Sequence, residues 1–272
     1  MAECQGAPER CAFSTMNVSM LDTTPAIAVR DLRKVYDGKA AVDGLNLTVH
    51  RGSFFGFLGP NGAGKSTTIR MLTGLIPATS GTIELLGLPM PAEEMEIKRR
   101  IGLVPDESML FDRLTGAEFL EFVGRMYGLA RPLAVQRAGE LLELFELDHE
   151  KRKLIAEYSK GMRKRVAMAA SLIHKPELFL MDEPFEGVDA VGARLMKDIL
   201  LDQVRGGATI FLTSHVLEVV ERLCDYAAII NQGKIVAEGR MQDLRGGAET
   251  LEDVFVRTVG GAREYDKLDW LV

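Results

Sequence analysis

Apolar positions along this 272-residue chain follow two rhythms. Leu45, Leu47 and Val49 alternate with polar residues, the period of a strand with one buried face, and Ile27 to Tyr36 reads as a strand before it. Ser53-Phe54-Phe55-Gly56-Phe57-Leu58, Leu178-Phe179-Leu180-Met181 and Thr209-Ile210-Phe211-Leu212 are apolar almost without a break, as strands covered on both faces are. Gly81 to Gly87, with Thr82, Ile83 and Leu85 inside it, reads as a strand and turn. Phe119, Phe122, Val123 and Met126 recur at i, i+3, i+4 and i+7, and Leu141, Leu144 and Phe145 resume the pattern after Arg131-Pro132. This predicts helix from about Leu114 to Ile155, with both stripes turned to the core. Helices are also predicted over Thr67 to Leu75, Gly161 to His174 and Ala193 to Val204. Apolar strands alternating with helices imply a parallel sheet covered on both faces, with ligands at the carboxyl ends of its strands.

The strongest chemical signal sits at one such end. Gly59-Pro60-Asn61-Gly62-Ala63-Gly64-Lys65-Ser66, followed by Thr67, matches the loop that wraps nucleotide phosphates. Gly59, Gly62 and Gly64 free the backbone to turn successive N–H groups onto anionic oxygens. Lys65 supplies a point charge for the β- and γ-phosphates, and Ser66 a hydroxyl for Mg²⁺. The strand before the loop and the helix after it aim a helix N-terminus at the phosphates. Asp182 closes a second apolar strand, where a carboxylate can hold the phosphate-bridging Mg²⁺. Glu183 beside it is placed to orient or deprotonate the attacking water. His215 ends a third strand, within reach of a γ-phosphate.

Five motifs in order resemble the nucleotide-binding subunit of an ATP-binding-cassette (ABC) transporter, over about residues 26–260. They are the phosphate loop, Leu178 to Glu183, Tyr158-Ser159-Lys160-Gly161-Met162 at the family's signature position, Gly187-Val188-Asp189 after the acidic pair, and Thr213-Ser214-His215. The resemblance implies an α/β phosphate-loop NTPase core with a parallel sheet covered by helices, an N-terminal antiparallel β-subdomain and an inserted α-helical subdomain at about 107–165. Residues 1–25 and 261–272 would be tails. It further implies Tyr36 stacked on adenine and catalysis by Glu183 and His215 with Lys65. Ser159, Lys160, Gly161 and Met162 would face the nucleotide of a second subunit, and Asp189 would touch that subunit. ATP and Mg²⁺ are the implied ligands. The implied partners are a second copy or related cassette and a separate transmembrane permease, which would hold the chain on the cytoplasmic face of the cell membrane.

Two positions depart from the family's commonest pattern. Asp106, after Ile101-Gly102-Leu103-Val104-Pro105, stands where glutamine usually reaches Mg²⁺ and the water; it keeps an oxygen ligand but loses the amide donor. Lys160 and Met162 replace glycine and glutamine of the signature. Ser-Lys-Gly-Met-Arg and the ending Leu251-Glu252-Asp253-Val254-Phe255 resemble the drug-exporter-like branch.

Composition narrows the partners. Lys and Arg number 33 against 39 Asp and Glu, a net charge of −6, which argues against nucleic acid as the main partner. No apolar run reaches 18 residues, and residues 1–25 hold no stretch suited to a secretory signal. Three cysteines, Cys4, Cys11 and Cys224, are a sparse, odd set that points to a reducing compartment. The alternative reading is a soluble ABC-type ATPase acting on ribosomes or nucleic acid. A small-molecule kinase with the same phosphate loop would leave the signature and His215 unexplained.

Overall fold

The unbroken apolar runs form the middle of a six-stranded sheet in the computed structural model, which describes residues 24–106, 110–246 and 249–260. In chain order the strands are β1 (Ile27–Tyr36), β2 (Lys39–Val49), β3 (Phe54–Leu58), β4 (Ser80–Leu85), β5 (Leu88–Met90), β6 (Ile101–Val104), β7 (Leu178–Asp182), β8 (Thr209–Ser214), β9 (Tyr226–Asn231) and β10 (Lys234–Arg240). The helices are α1 (Lys65–Leu72), α2 (Glu94–Arg100), α3 (Gly116–Met126), α4 (Arg131–Leu144), α5 (Lys160–Leu172), α6 (Ala190–Arg205), α7 (Leu217–Leu223), α8 (Met241–Leu244) and α9 (Leu251–Val259). The large sheet runs β10-β9-β3-β8-β7-β6, parallel from β9 to β6 with β10 antiparallel at its edge. The smaller sheet, β2-β1-β4-β5, is antiparallel throughout. The tails and Cys4 and Cys11 fall largely or wholly outside the described residues; Cys224 is buried and free.

Successive side chains of a strand point to opposite faces, so each apolar run serves two cores. Phe54 and Leu58 of β3, Phe179 and Met181 of β7, and Ile210 and Leu212 of β8 pack with α5 and α6. Phe55 and Phe57, Leu178 and Leu180, and Phe211 pack on the other side with α1 and the small sheet. Register then sets the site: Leu58 lies opposite Ser214, Thr213 opposite Asp182, and Met181 opposite Val104. β3 and β8 end level, β7 ends one residue short of β8 and β6 one residue short of β7, so the residues that follow emerge near one another on the same side of the sheet.

The helical segment differs from expectation in two ways. It is not continuous to Ile155. The left-handed backbone at Glu146 (φ 56°) follows the end of α4, and two 3-10 turns, Asp148–Glu150 and Ile155–Glu157, lead into α5. Nor does the whole apolar stripe face inward. Phe119 and Phe145 are buried, but Phe122, Leu144 and Met126 are 42%, 45% and 72% exposed. Only part of the stripe on α3 meets α4 and α5. Phe122 packs edge-on against Phe111, itself 51% exposed. Four strands, β5, β6, β9 and β10, are not among those the apolar pattern predicts; for β9 and β10 the Ala227-Ala228-Ile229-Ile230 run and the turn at Gln232-Gly233, both at positive φ, were the available signals. Among the described residues no helix is long and apolar enough to cross a membrane.

Phe211 is fully buried, with ring centroids 5.7 Å from Phe55 and 5.4 Å from Phe57. Phe211→Ala should cost about 3–5 kcal/mol of stability, read as a lower urea midpoint at unchanged slope.

Candidate functional site

The loop from Gly59 to Ser66 turns between β3 and α1 under steric constraints that only glycine meets. A Cβ on Gly59 would lie 2.4 Å from the Ile230 carbonyl. One on Gly64, at φ 114°, would lie 2.6 Å from the Ala41 carbonyl. Gly64 is the N-cap of α1 and offers no side-chain acceptor, so the first-turn N–H groups are left for an anion. A cleft of about 550 Å³ opens there, a usual size for a small-molecule site. Asn61, Gly62, Ala63, Gly64, Lys65, Ser66 and Thr67 line one side, and Asp106, Glu183, Glu186, His215 and Ala41 the rest. Gly59 and Pro60 lie behind it, their carbonyls accepting from Lys65 Nζ at 2.7 and 3.4 Å.

Glu183 is held from all sides. It is not glycine, yet its φ is 47°, a conformation that costs about 1–2 kcal/mol and persists where the surroundings impose it. Its N–H donates to Thr213 Oγ1 at 3.1 Å, and that hydroxyl donates to Asp182 Oδ1 at 2.5 Å. Thr213 thus aligns both acidic residues. Glu183 Oε1 lies 3.9 Å from Lys65 Nζ, and Oε2 lies 3.0 Å from His215 Nδ1 and accepts the His215 N–H at 3.3 Å. A carboxylate only accepts, so it can pair with Nδ1 only where that nitrogen carries a hydrogen. Asp182 itself is 4% exposed and sits behind the cleft wall.

Two lysines bind these loops to α5. Lys160 Nζ pairs with Glu186 Oε1 at 2.7 Å; that hydrogen bond holds the Glu186 carboxyl below its usual range and raises Lys160. Lys164 Nζ donates to the carbonyls of Asp106 (2.6 Å), Pro105 (3.0 Å) and Asp182 (3.4 Å), and burial pushes its amine down. Sequence reasoning missed Ala41, Glu186 and Lys164. A lysine in an arginine-rich helical turn carries no pattern that distinguishes it from a solvated one.

The residues expected to face a second subunit, and Tyr36, lie off this chain's own cleft. Ser159, Gly161 and Met162 do not line it, and Lys160 touches it only through Glu186. Ser159 is the N-cap of α5, accepting the Met162 N–H at 3.2 Å. Asp189 is the exposed N-cap of α6, accepting from Val191 and Gly192 N–H, which lowers its carboxyl. Tyr36 ends β1 and is 45% exposed; its ring lies under Lys34 Nζ at 5.0 Å and does not line the cleft.

Residues 42–186 match the family model described as ABC transporter. The linearmycin resistance ATP-binding protein of Bacillus subtilis is 40% identical over 240 residues, 88% of this chain and 76% of that protein. The daunorubicin resistance ATP-binding protein of Streptomyces coeruleorubidus is 40% identical over 243 residues, 89% of this chain and 76% of that protein. A solved ATP-binding subunit of an ABC transporter superposes with a TM-score of 0.80 at 30% identity, covering 86% of this chain and 99% of that one. The chain belongs to the ABC transporter family.

Because the folded Glu186 carboxyl lies below its ordinary 4.5, the Lys160 pair is intact above that value and is lost as pH falls through the lowered one. Lys160→Ala should return the Glu186 titration toward 4.5, followed by carboxyl ¹³C NMR.

Proposed function

We infer that this member of the ABC transporter family is the ATP-hydrolysing subunit of an exporter, acting on a transmembrane subunit in a separate chain. The observation that carries the reading is the convergence of Lys65, Glu183 and His215 on one cleft at the adjacent ends of β3, β7 and β8. ATP phosphates rest on the Gly59–Ser66 loop and the uncapped start of α1, with Lys65 turning to the β- and γ-phosphates. Tyr36 serves adenine from outside the phosphate cleft. Glu183 takes the proton of the attacking water. His215, whose Nδ1 lies 3.0 Å from Glu183 Oε2, presents Nε2 to the γ-phosphate.

Magnesium suits this donor set. Among the described residues no three His, Cys, Asp or Glu side chains group to hold a metal alone. An ion that keeps waters and shares phosphate oxygens needs only one or two protein oxygens. Ser66 and Asp182 would hold it, with Asp106 adding an oxygen; bound there, it neutralises charge on the transferring phosphoryl group.

The signature residues and Asp189 lie off their own cleft and serve a facing subunit, a second copy or a related cassette. The N-terminus of α5, with Ser159, Lys160, Gly161 and Met162, meets the partner's γ-phosphate. ATP closes the pair; hydrolysis removes the shared phosphate and lets it open. The exposed apolar edge of α3, with Phe122 and Met126, and the Asp106 loop receive a short helix of the permease. That contact holds the chain on the inner face of the cell membrane. The names of the linearmycin and daunorubicin relatives favour export.

Glu183→Gln should lower steady-state ATP hydrolysis by about 10²–10⁴-fold, keep ATP binding, and trap an ATP-bound dimer. Light scattering that finds only monomer at saturating ATP and Mg²⁺ would overturn the paired site. Affinity purification from detergent-solubilised membranes should bring down a polytopic membrane protein in stoichiometric amount; recovery with ribosomes or nucleic acid would refute the transport role.

A further inference from the structure

Lys164 lies one helical turn after Lys160 but has none of its exposure. It is 1% exposed, among the largest fully buried side chains of the protein. Its ammonium carries three donors, and three main-chain carbonyls surround it: Asp106, Pro105 and Asp182, at 2.6, 3.0 and 3.4 Å. Asp106 Oδ1 is 4.0 Å away. Pro105 and Asp106 follow β6, and Asp182 closes β7, the neighbouring parallel strand. Where these strands end, their carbonyls turn away from the ladder and need other donors. One tetrahedral ammonium can serve several at once, whereas the flat fork of arginine suits planar acceptors. Packing does not account for the residue. Burying an ammonium is costly, and the buried positions that follow Arg165 in the same helix, Val166, Ala167 and Met168, are the apolar kind a core takes.

We propose that Lys164 is a positioning residue of the hydrolytic site. From α5, the helix that Ser159 caps, its ammonium ties together the backbone of Asp106 and of Asp182. It thereby holds the permease-facing loop, the Asp182–Glu183 pair and the signature helix in one arrangement. It does not line the cleft and acts through these two loops. The inference rests on the ATPase reading of the cleft.

The test uses the full chain and two substitutions, Lys164→Met, of similar length without donors, and Lys164→Gln, which keeps two N–H donors. Hydrolysis is measured at steady state, and binding separately with a trinitrophenyl-ATP probe in the absence of Mg²⁺. Lys164→Met should lower kcat about 10–100-fold, the usual cost of removing a group that orients a reactive one. KM for ATP and probe affinity should stay within about threefold of the starting protein, since the phosphate loop is untouched. Lys164→Gln should recover part of kcat. Asp106→Ala should cost much less in the Lys164→Met background than alone, because the Asp106 carboxylate can act only while Lys164 holds the backbone that carries it. A Lys164→Met kcat within about twofold of the starting protein, or an Asp106→Ala factor equal in both backgrounds, overturns the proposal. If Lys164→Met does not unfold cooperatively, Lys164→Gln supplies the same comparisons. A starting protein no more active than its Glu183→Gln variant defeats the ATPase reading itself; an active protein with undisturbed Lys164 variants defeats only this inference.

Discussion

In the large sheet Leu58 stands opposite Ser214, Thr213 opposite Asp182, and Met181 opposite Val104, and the site depends on this register. Because each strand stops within one residue of its neighbour, Gly59, His215, Glu183 and Pro105 leave the sheet on the same side. A slip of one residue in any strand would exchange its two apolar faces and move its terminal residue out of the group. Such a slip is opposed from both sides, since Phe54 and Phe55, or Phe179 and Leu180, are committed to different cores. The Thr213 hydroxyl adds a polar tie at the end of the ladder, bonded to both acidic residues of β7 and the turn after it.

The electrostatics of the cleft follow from that alignment. Four carboxylates, Asp106, Asp182, Glu183 and Glu186, gather near the phosphate loop, and three lysines on two helices answer them. Lys65 and Lys164 are buried and bond mainly to carbonyls, while Lys160 is exposed and bonds to a carboxylate. The buried pair braces the backbone; the exposed one holds a single side chain. Glu183 sits 3.9 Å from Lys65 in a left-handed conformation that its contacts with Thr213 and His215 impose. A carboxylate held this way loses little freedom when it engages a water.

Two departures from the family's commonest motif acquire a setting. Lys160, where a glycine is usual, has room because its stem lies against Gly187, and its charge meets Glu186 of the same chain. Asp106, where glutamine is usual, has its side chain 46% exposed in the cleft while its carbonyl is gripped from behind by Lys164. The shorter side chain therefore comes with a firmly anchored backbone.

The chemistry of the phosphate loop was legible because it is local. Gly59, Gly64 and Lys65 work within a few residues of one another, so their spacing alone determines what they can bind. Asp182, Glu183 and His215 were legible for a related reason: each follows an apolar run, and such runs become parallel strands whose ends hold ligands. The burial of Lys164 was not legible. Its acceptors come from residues 58, 59 and 18 positions away, and only the meeting of β6 with β7 puts them around it. The exposure of Phe122 and Met126 was hidden for the converse reason. Helical periodicity tells which residues share a face, but whether another element arrives to cover that face is decided in three dimensions. Short-range order determined the elements and their reactive groups; the long-range packing of those elements decided which groups are buried, paired or left open.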